Sequence, residues 1–146
     1  MSLSYKVQRT IQAAPERIWE LLTDSTSYAA WNPTVVSLEG RIAAGETIKL
    51  VSTVNPKRTF SLKVTELDGP RRMVWSDGMP LGLFKGVRTY SLSPTDAGSE
   101  FEMEEVYSGP LAPLITRAIP DLTDSFAQFA DGLKAASEAR SASGSA

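Results

Sequence analysis

Alternating polar and apolar positions dominate the chain from residue 35 to residue 107 and predict β-strands. A period of two is typical of a strand, because successive side chains point to opposite faces of a sheet. Residues 4–11 show the same alternation. The predicted strands cover residues 4–11, 35–40, 47–54, 59–67, 73–76, 87–92 and 100–107. Short intervals rich in Gly, Pro, Asn and Asp separate the last six, which predicts an antiparallel meander.

Helical spacing replaces this alternation in two regions. Pro15 marks the start of a short helix that ends near residues 23–24, and a second helical piece covers residues 28–31. After Pro110, apolar side chains recur at helical spacing to the end of the domain, with Pro120 expected to bend or break the helix. This order predicts an α+β fold in which the long C-terminal helix covers one curved antiparallel sheet.

The length of 146 residues suits one domain, which we place at residues 1–140. The remaining residues, 141–146, are a low-complexity run of Ser, Ala and Gly, and we expect them to form a flexible tail. No internal repeat is visible in the sequence. The pattern therefore predicts a single domain and makes no prediction of the oligomeric state.

The amino-acid composition excludes several kinds of catalytic and metal-binding site. The chain has no cysteine and no histidine, which excludes disulfides, thiolate nucleophiles, zinc ribbons and imidazole-based catalysis. We therefore expect no metal site and no cofactor. A net charge of −2 argues against a nucleic-acid partner, and no apolar run is long enough to span a membrane. Absence of cysteine and of a signal-peptide core favours a cytoplasmic protein.

The last two strands place an arginine and a glutamate opposite each other. Hairpin closure around residues 94–99 predicts the cross-strand pairs Leu92–Phe101, Tyr90–Met103, Arg88–Glu105 and Gly86–Tyr107. All of these side chains share one face. The other face of the final strand carries Glu100, Glu102 and Glu104, so the face with Arg88 and Glu105 is predicted to point inward.

A similar argument orients the preceding strands. A four-residue turn at residues 68–71 predicts Trp75 opposite Val64 and Met73 opposite Glu66. The loop at residues 77–86 is both glycine-rich and apolar, with no clear period. It is either packed against the core or forms the rim of an apolar cavity.

Several sequence motifs resemble the SRPBCC or START-like helix-grip superfamily, which includes polyketide cyclases and lipid-transport proteins. They are IQAAPERIWELLTD at residues 11–24, WNP at 31–33, RTYSLS at 88–93, EVYSGP at 105–110, and residues 126–134. The resemblance spans residues 3–139. It implies a seven-stranded sheet wrapped around a C-terminal helix, with a cavity between them. Members bind lipids, sterols, polyketides or other hydrophobic molecules, a minority catalyse cyclisation or dehydration, and others activate a chaperone ATPase.

The inward-facing positions predict the lining of such a cavity. The candidate ligand-binding residues are Leu50, Phe60, Leu62, Val64, Met73, Trp75, Met79, Leu81, Phe84, Arg88, Tyr90, Met103, Glu105, Tyr107, Leu114, Ala118, Leu122 and Phe126. Two interpretations of Arg88 and Glu105 remain open. They form a structural ion pair in the core, or they are a polar anchor that orients a ligand in an apolar pocket.

Three functions are compatible with these features. We favour a non-enzymatic binder of a small hydrophobic molecule, such as a lipid, polyketide or aromatic metabolite. The first alternative is a polyketide cyclase or dehydratase with Arg88, Glu105 and Tyr90 as catalytic candidates. The second is a protein-interaction or chaperone-activator-like module that docks a partner through the apolar loop at residues 79–84.

Overall fold

The structure, a computed structural model, describes the backbone of residues 3–144 and the side chains of residues 3–139. Within this part of the chain, seven strands form one curved antiparallel sheet. They are β1 (Ser4–Ile11), β2 (Val35–Glu39), β3 (Thr47–Ser52), β4 (Asn55–Asp68), β5 (Arg72–Gly78), β6 (Lys85–Thr95) and β7 (Gly98–Ser108). Their spatial order is β1-β7-β6-β5-β4-β3-β2. The predicted α+β helix-grip fold is confirmed.

Two short helices join the edges of the sheet, and two more follow the last strand. The helices are α1 (Pro15–Thr23), α2 (Tyr28–Trp31), α3 (Ala112–Thr116) and α4 (Thr123–Gly144). Helices α1 and α2 connect β1, at one edge, to β2, at the other. The predicted interruption at Pro120 is confirmed, because α3 ends before it and α4 begins after it. At the new helix start, the Thr123 backbone N–H and hydroxyl both donate to the Asp121 carboxylate.

The predicted tail at residues 141–146 stays a prediction. Helix α4 extends to residue 144, residues 145–146 lie outside the described residues, and the described side chains end at residue 139.

The β6–β7 hairpin has the predicted register. Arg88 pairs with Glu105 and Tyr90 with Met103, and the outer pairs Leu92–Phe101 and Gly86–Tyr107 follow the same register. The opposite face of β7 is turned outward, where Lys6 forms an ion pair with Glu102 at 2.6 Å. An uninterrupted hairpin of eleven-residue strands thus carries the Arg–Glu pair on the inner face.

The two neighbouring hairpins differ from the prediction in detail. Val64 pairs with Trp75 as predicted, but Met73 pairs with Leu67 and not with Glu66. The β4–β5 turn is one residue shorter than expected, because Asp68 and Arg72 already pair, and an irregularity between Val64 and Glu66 restores the register.

The β3–β4 turn also lies earlier than predicted. Ser52 pairs with Asn55, so the chain reverses at residues 53–54. Asn55 and Pro56, which we expected in the turn, instead begin β4. Proline is tolerated at the start of a strand, where its missing N–H costs little.

Aromatic side chains from the sheet and the helices pack together between the inner face of the sheet and α4. Phe129 of α4 packs against Tyr28, Trp31, Tyr90 and Phe101, with ring centroids 5.6–6.5 Å apart. The helix also packs on β1, β7 and α1. Toward the C-terminus of α4 the contact with the core is close, with Ala130 and Leu133 fully buried. The space between helix and sheet therefore opens toward the N-terminal end of α4.

Candidate functional site

A cavity of about 500 Å³ lies between the inner face of the sheet and helices α3 and α4. Its walls come from β3 to β7 on one side and from residues 115–129 on the other. This volume lies within the range of about 300–1,000 Å³ that is typical of small-molecule sites. The lining is mostly apolar, so the space suits a molecule with a hydrocarbon or aromatic skeleton.

Most of the residues predicted to face a cavity lie in its lining. They are Leu50, Phe60, Leu62, Trp75, Met79, Phe84, Arg88, Met103, Glu105, Tyr107, Ala118, Leu122 and Phe126. The strand residues among them follow from the period of two and from hairpin register. Ligand binding by these residues stays a prediction.

Five predicted residues lie outside the lining. Val64, Met73 and Tyr90 are fully buried in the core and do not line the cavity. Leu81 and Leu114 point to solvent, with exposed fractions of 96% and 64%. Leu114 was expected on the inner face of one continuous helix, but the break at Pro120 sets the orientation of α3 independently of α4.

The structure also brings residues to the cavity that the sequence did not indicate. Ile115 and Ile119 take the place expected for Leu114, and Tyr28 reaches the cavity from α2. Ile115 and Ile119 belong to the same broad apolar stripe as Leu114, and this stripe was the signal that could have indicated them. No local pattern indicated Tyr28, because its position depends on how the N-terminal helices cross the sheet.

Arg88 and Glu105 form an ion pair inside the cavity. Arg88 Nε donates to Glu105 Oε1 at 2.8 Å, and the two side chains retain exposed fractions of 19% and 15%. The Tyr107 hydroxyl donates to the other carboxylate oxygen, Oε2. Both oxygens of Glu105 therefore accept a hydrogen bond from the protein, and the charges of the pair balance.

Aromatic side chains surround this pair. The Arg88 guanidinium lies over the ring of Phe126, with Cζ 4.9 Å from the ring centroid. Phe84 stacks on Tyr107 at a centroid distance of 5.8 Å. Cation–π contact and ring stacking hold these side chains in place around an apolar space, so the guanidinium is well positioned before any ligand arrives.

Burial keeps the tyrosines of this region protonated. Burial raises the pKa of Tyr90 to about 12, although the positive charge of Arg88 opposes the shift. Burial also raises the pKa of Tyr107, and the adjacent Glu105 carboxylate adds to the effect. For Arg88, burial disfavours the charged form, but Glu105 and the tyrosines outweigh it and raise the pKa. Arg88 is therefore a permanent cation.

The apolar loop between β5 and β6 lies at the cavity mouth. Met79 and Phe84 line the cavity, whereas Leu81 and Leu83 are exposed. Backbone hydrogen bonds from Met79 N to Phe84 O and from Leu111 N to Leu83 O fix the loop to itself and to the segment before α3. Both expectations for this loop thus hold in part, since some of its side chains turn inward and others form an exposed rim.

Two further charged side chains line the outer part of the cavity. Arg58 lies over the ring of Phe60, with Cζ 4.5 Å from the centroid, and Asp77 lies at the end of β5. Arg58 is exposed and Asp77 is partly buried. The polar groups of the cavity thus form an inner set around Arg88 and an outer set near solvent.

None of the helices in the described part of the chain is both long enough and apolar enough to cross a membrane.

Comparisons with known proteins show the family and the fold of this chain. A family model described as polyketide cyclase / dehydrase and lipid transport matches residues 2–138. No curated protein sequence matches the chain at a significant level.

Solved structures with the same fold come from several bacteria. Protein MLL2253 from Mesorhizobium loti is 20% identical with a TM-score of 0.70, and the match covers 90% of this chain and 93% of that one. Protein CV1439 from Chromobacterium violaceum is 19% identical with a TM-score of 0.69, over 94% of this chain and 99% of that one. At such identities these structures show the shared fold alone. The family model spans nearly the whole sequence, and the protein therefore belongs to the polyketide cyclase / dehydrase and lipid transport family.

Proposed function

We propose that this protein binds a single small hydrophobic molecule in the cavity between the sheet and helix α4. Its family and fold are consistent with a ligand-binding helix-grip domain. The observation that carries the proposal is the mostly apolar cavity of about 500 Å³ in the middle of the grip. A cavity of this size lowers the stability of a domain, because packing contacts are missing around it. Its presence in the middle of the fold therefore supports a binding function.

The bound molecule is apolar over most of its surface. Leu50, Phe60 and Leu62 form one wall, and Ile119 and Phe126 form part of the opposite wall. Transferring apolar surface from water to such walls stabilises a complex by about 25 cal/mol for each Å² buried. Apolar burial is therefore the main source of affinity, and the polar groups set orientation.

The arrangement supports binding better than catalysis. In acid–base catalysis a carboxylate must take or give a proton at the substrate. Both oxygens of Glu105 already accept hydrogen bonds, from Arg88 and from Tyr107. Tyr90, the third catalytic candidate, lies outside the cavity lining. A cyclase or dehydratase reaction would have to break this set of contacts first.

Binding is tested with a neutral fluorescent probe, N-phenyl-1-naphthylamine. We expect its fluorescence to rise on mixing with the protein and the melting temperature to rise with probe concentration. A ligand that binds the native state alone adds about 2.7 kcal/mol of stability at about 100 times its dissociation constant. Native mass spectrometry of freshly purified protein gives a second measurement, since a bound cellular molecule adds its mass.

Two variants of neighbouring residues locate the binding site. Leu62→Trp fills the cavity and should weaken probe binding about tenfold or more, whereas Lys63→Trp places the same side chain on the outer face of β4. Ile119→Trp repeats the block from the opposite wall. Wild-type protein that binds no probe, or equal affinity in all three variants, contradicts the proposal.

A further inference from the structure

The guanidinium of Arg88 has unused hydrogen-bond donors inside the cavity. Nε donates to Glu105 Oε1, and this bond does not use the terminal nitrogens Nη1 and Nη2. The buried Tyr90 hydroxyl lies within reach of the guanidinium, which leaves the rest of its five N–H donors for a ligand. Arg88 lies in the middle of the sheet on its inner face, so its 19% exposed surface faces the cavity.

The rest of the polar cluster is already paired. Glu105 accepts from Arg88 and from Tyr107, and the Tyr107 hydroxyl has committed its hydrogen to this bond. Phe126 covers one face of the guanidinium. What the inner cavity offers to a ligand is therefore a set of N–H donors in one plane, which calls for an acceptor on the ligand.

The charge balance of the cluster decides what kind of acceptor fits. Arg88 and Glu105 together carry no net charge. A ligand carboxylate would bring a second negative charge close to Glu105 and would lose its own hydration in an apolar space. A carbonyl oxygen accepts the same hydrogen bonds and loses far less hydration.

We propose that the ligand carries a neutral carbonyl group whose oxygen accepts hydrogen bonds from the terminal nitrogens of Arg88. This inference rests on the proposed function and adds the chemical class of the ligand: an apolar ketone or similar carbonyl compound. The ion pair with Glu105 positions the guanidinium and neutralises it, and this neutralisation discriminates against fatty-acid-like anions.

Three naphthalene probes of nearly equal size test the proposal. They are 2-acetylnaphthalene with a carbonyl, 2-ethylnaphthalene with no acceptor, and 2-naphthoate with a negative charge. We expect the ketone to bind about tenfold more tightly than either of the other two, measured by calorimetry or by displacement of N-phenyl-1-naphthylamine.

A double substitution removes the proposed donors without leaving a charge behind. Arg88→Met with Glu105→Gln should abolish the preference for the ketone while 2-ethylnaphthalene binds as before. The matched control is Arg72→Met with Glu66→Gln, an exposed ion pair of the same type outside the cavity, whose Nε–Oε2 distance is 2.6 Å. The control should keep the wild-type preference.

The possible outcomes separate this inference from the proposed function. Failure of all three probes to bind overturns both. Equal affinity for 2-ethylnaphthalene and the ketone leaves the binding function intact and overturns the carbonyl inference, as does tightest binding of 2-naphthoate. If the Arg88 and Glu105 double variant does not fold, the three wild-type affinities decide.

Discussion

Arg88 and Glu105 form the central ion pair of the polar cluster on the inner face of the sheet. Their ion pair is partly buried, and Tyr107 and Phe126 hold it from two sides. Removing one partner of a buried pair leaves a charge without compensation, which costs more than the pair contributes. These polar side chains are tolerated in an apolar space because Arg88 and Tyr107 both donate hydrogen bonds to Glu105.

Glu105→Gln should destabilise the protein because it leaves the Arg88 charge uncompensated. We expect a loss of about 1–3 kcal/mol in the free energy of unfolding, less than for a fully buried pair, since both side chains keep some exposure. Adding Arg88→Met to this variant should restore part of the loss. Chemical denaturation measures all of these changes.

The exposed pair of Arg72 and Glu66 supplies the control for this prediction. Glu66→Gln should cost at most about 1 kcal/mol, because water replaces the lost interaction. Equal losses for Glu66→Gln and Glu105→Gln would contradict the assigned burial of the inner pair. A double variant less stable than Glu105→Gln alone would show that the guanidinium is stabilising without its partner.

At the scale of elements, the β5–β6 loop and the segment before α3 form the cavity mouth together. Gly109 adopts a φ of +99°, and a Cβ added there would lie 2.7 Å from the carbonyl oxygens of Gly82 and Leu83. The backbones thus approach too closely for any other residue. The loop is packed against the chain that leads into α3, which gives the mouth a defined shape.

Gly109→Ala should therefore destabilise the protein more than Gly82→Ala. Gly82 also has a positive φ, of +67°, but a Cβ there would meet nothing within 4 Å. A left-handed conformation costs a non-glycine residue about 1–2 kcal/mol, and the clash at Gly109 adds to this cost. Denaturation of both variants measures the difference, and equal losses would contradict the close approach.

Strand pairing shows how far local patterns determine the elements. The β6–β7 register was predictable because one tight turn sets the pairing of two long strands. The Met73–Glu66 pair was predicted wrongly, because a turn one residue shorter and a compensating irregularity have no local signature. Correct register alone did not select the cavity lining, because Val64 and Tyr90 have the predicted partners and yet lie in the core. On the helices, Leu114 was predicted in the lining and Ile115 lies there instead.

At the scale of the whole molecule, buried tyrosines couple stability to alkaline pH. Burial raises the pKa of Tyr28, Tyr90 and Tyr107 above the ordinary value of 10, with Tyr90 at about 12. These side chains contact α4, the sheet or the cavity cluster, so the folded state as a whole keeps them from water.

Stability should fall as pH rises above 10. In the unfolded chain each tyrosine loses its proton near pH 10, whereas in the folded state these tyrosines keep it, so the unfolded state binds fewer protons. Each contributes a loss of about 1.4 kcal/mol per pH unit, which for Tyr90 ends near pH 12. Denaturation at several pH values measures the slope.

Tyr90→Phe provides the control for this pH dependence. The substitution removes one titrating group, so the slope of stability between pH 10 and 12 should decrease by about 1.4 kcal/mol per pH unit. The ultraviolet absorbance of tyrosinate gives an independent measurement of ionisation in the folded protein. An unchanged slope would show that Tyr90 titrates normally in the native state.

The amino-acid sequence was sufficient for the order of elements, the antiparallel sheet, the break at Pro120 and the opposition of Arg88 and Glu105. Each of these depends on neighbours along the chain or across one hairpin. Only the tertiary structure decided that Tyr28 and Ile119 line the cavity and that Tyr90 is buried, because both depend on how α4 crosses the sheet. Packing between distant segments sets that crossing, and no local pattern in the chain encodes it.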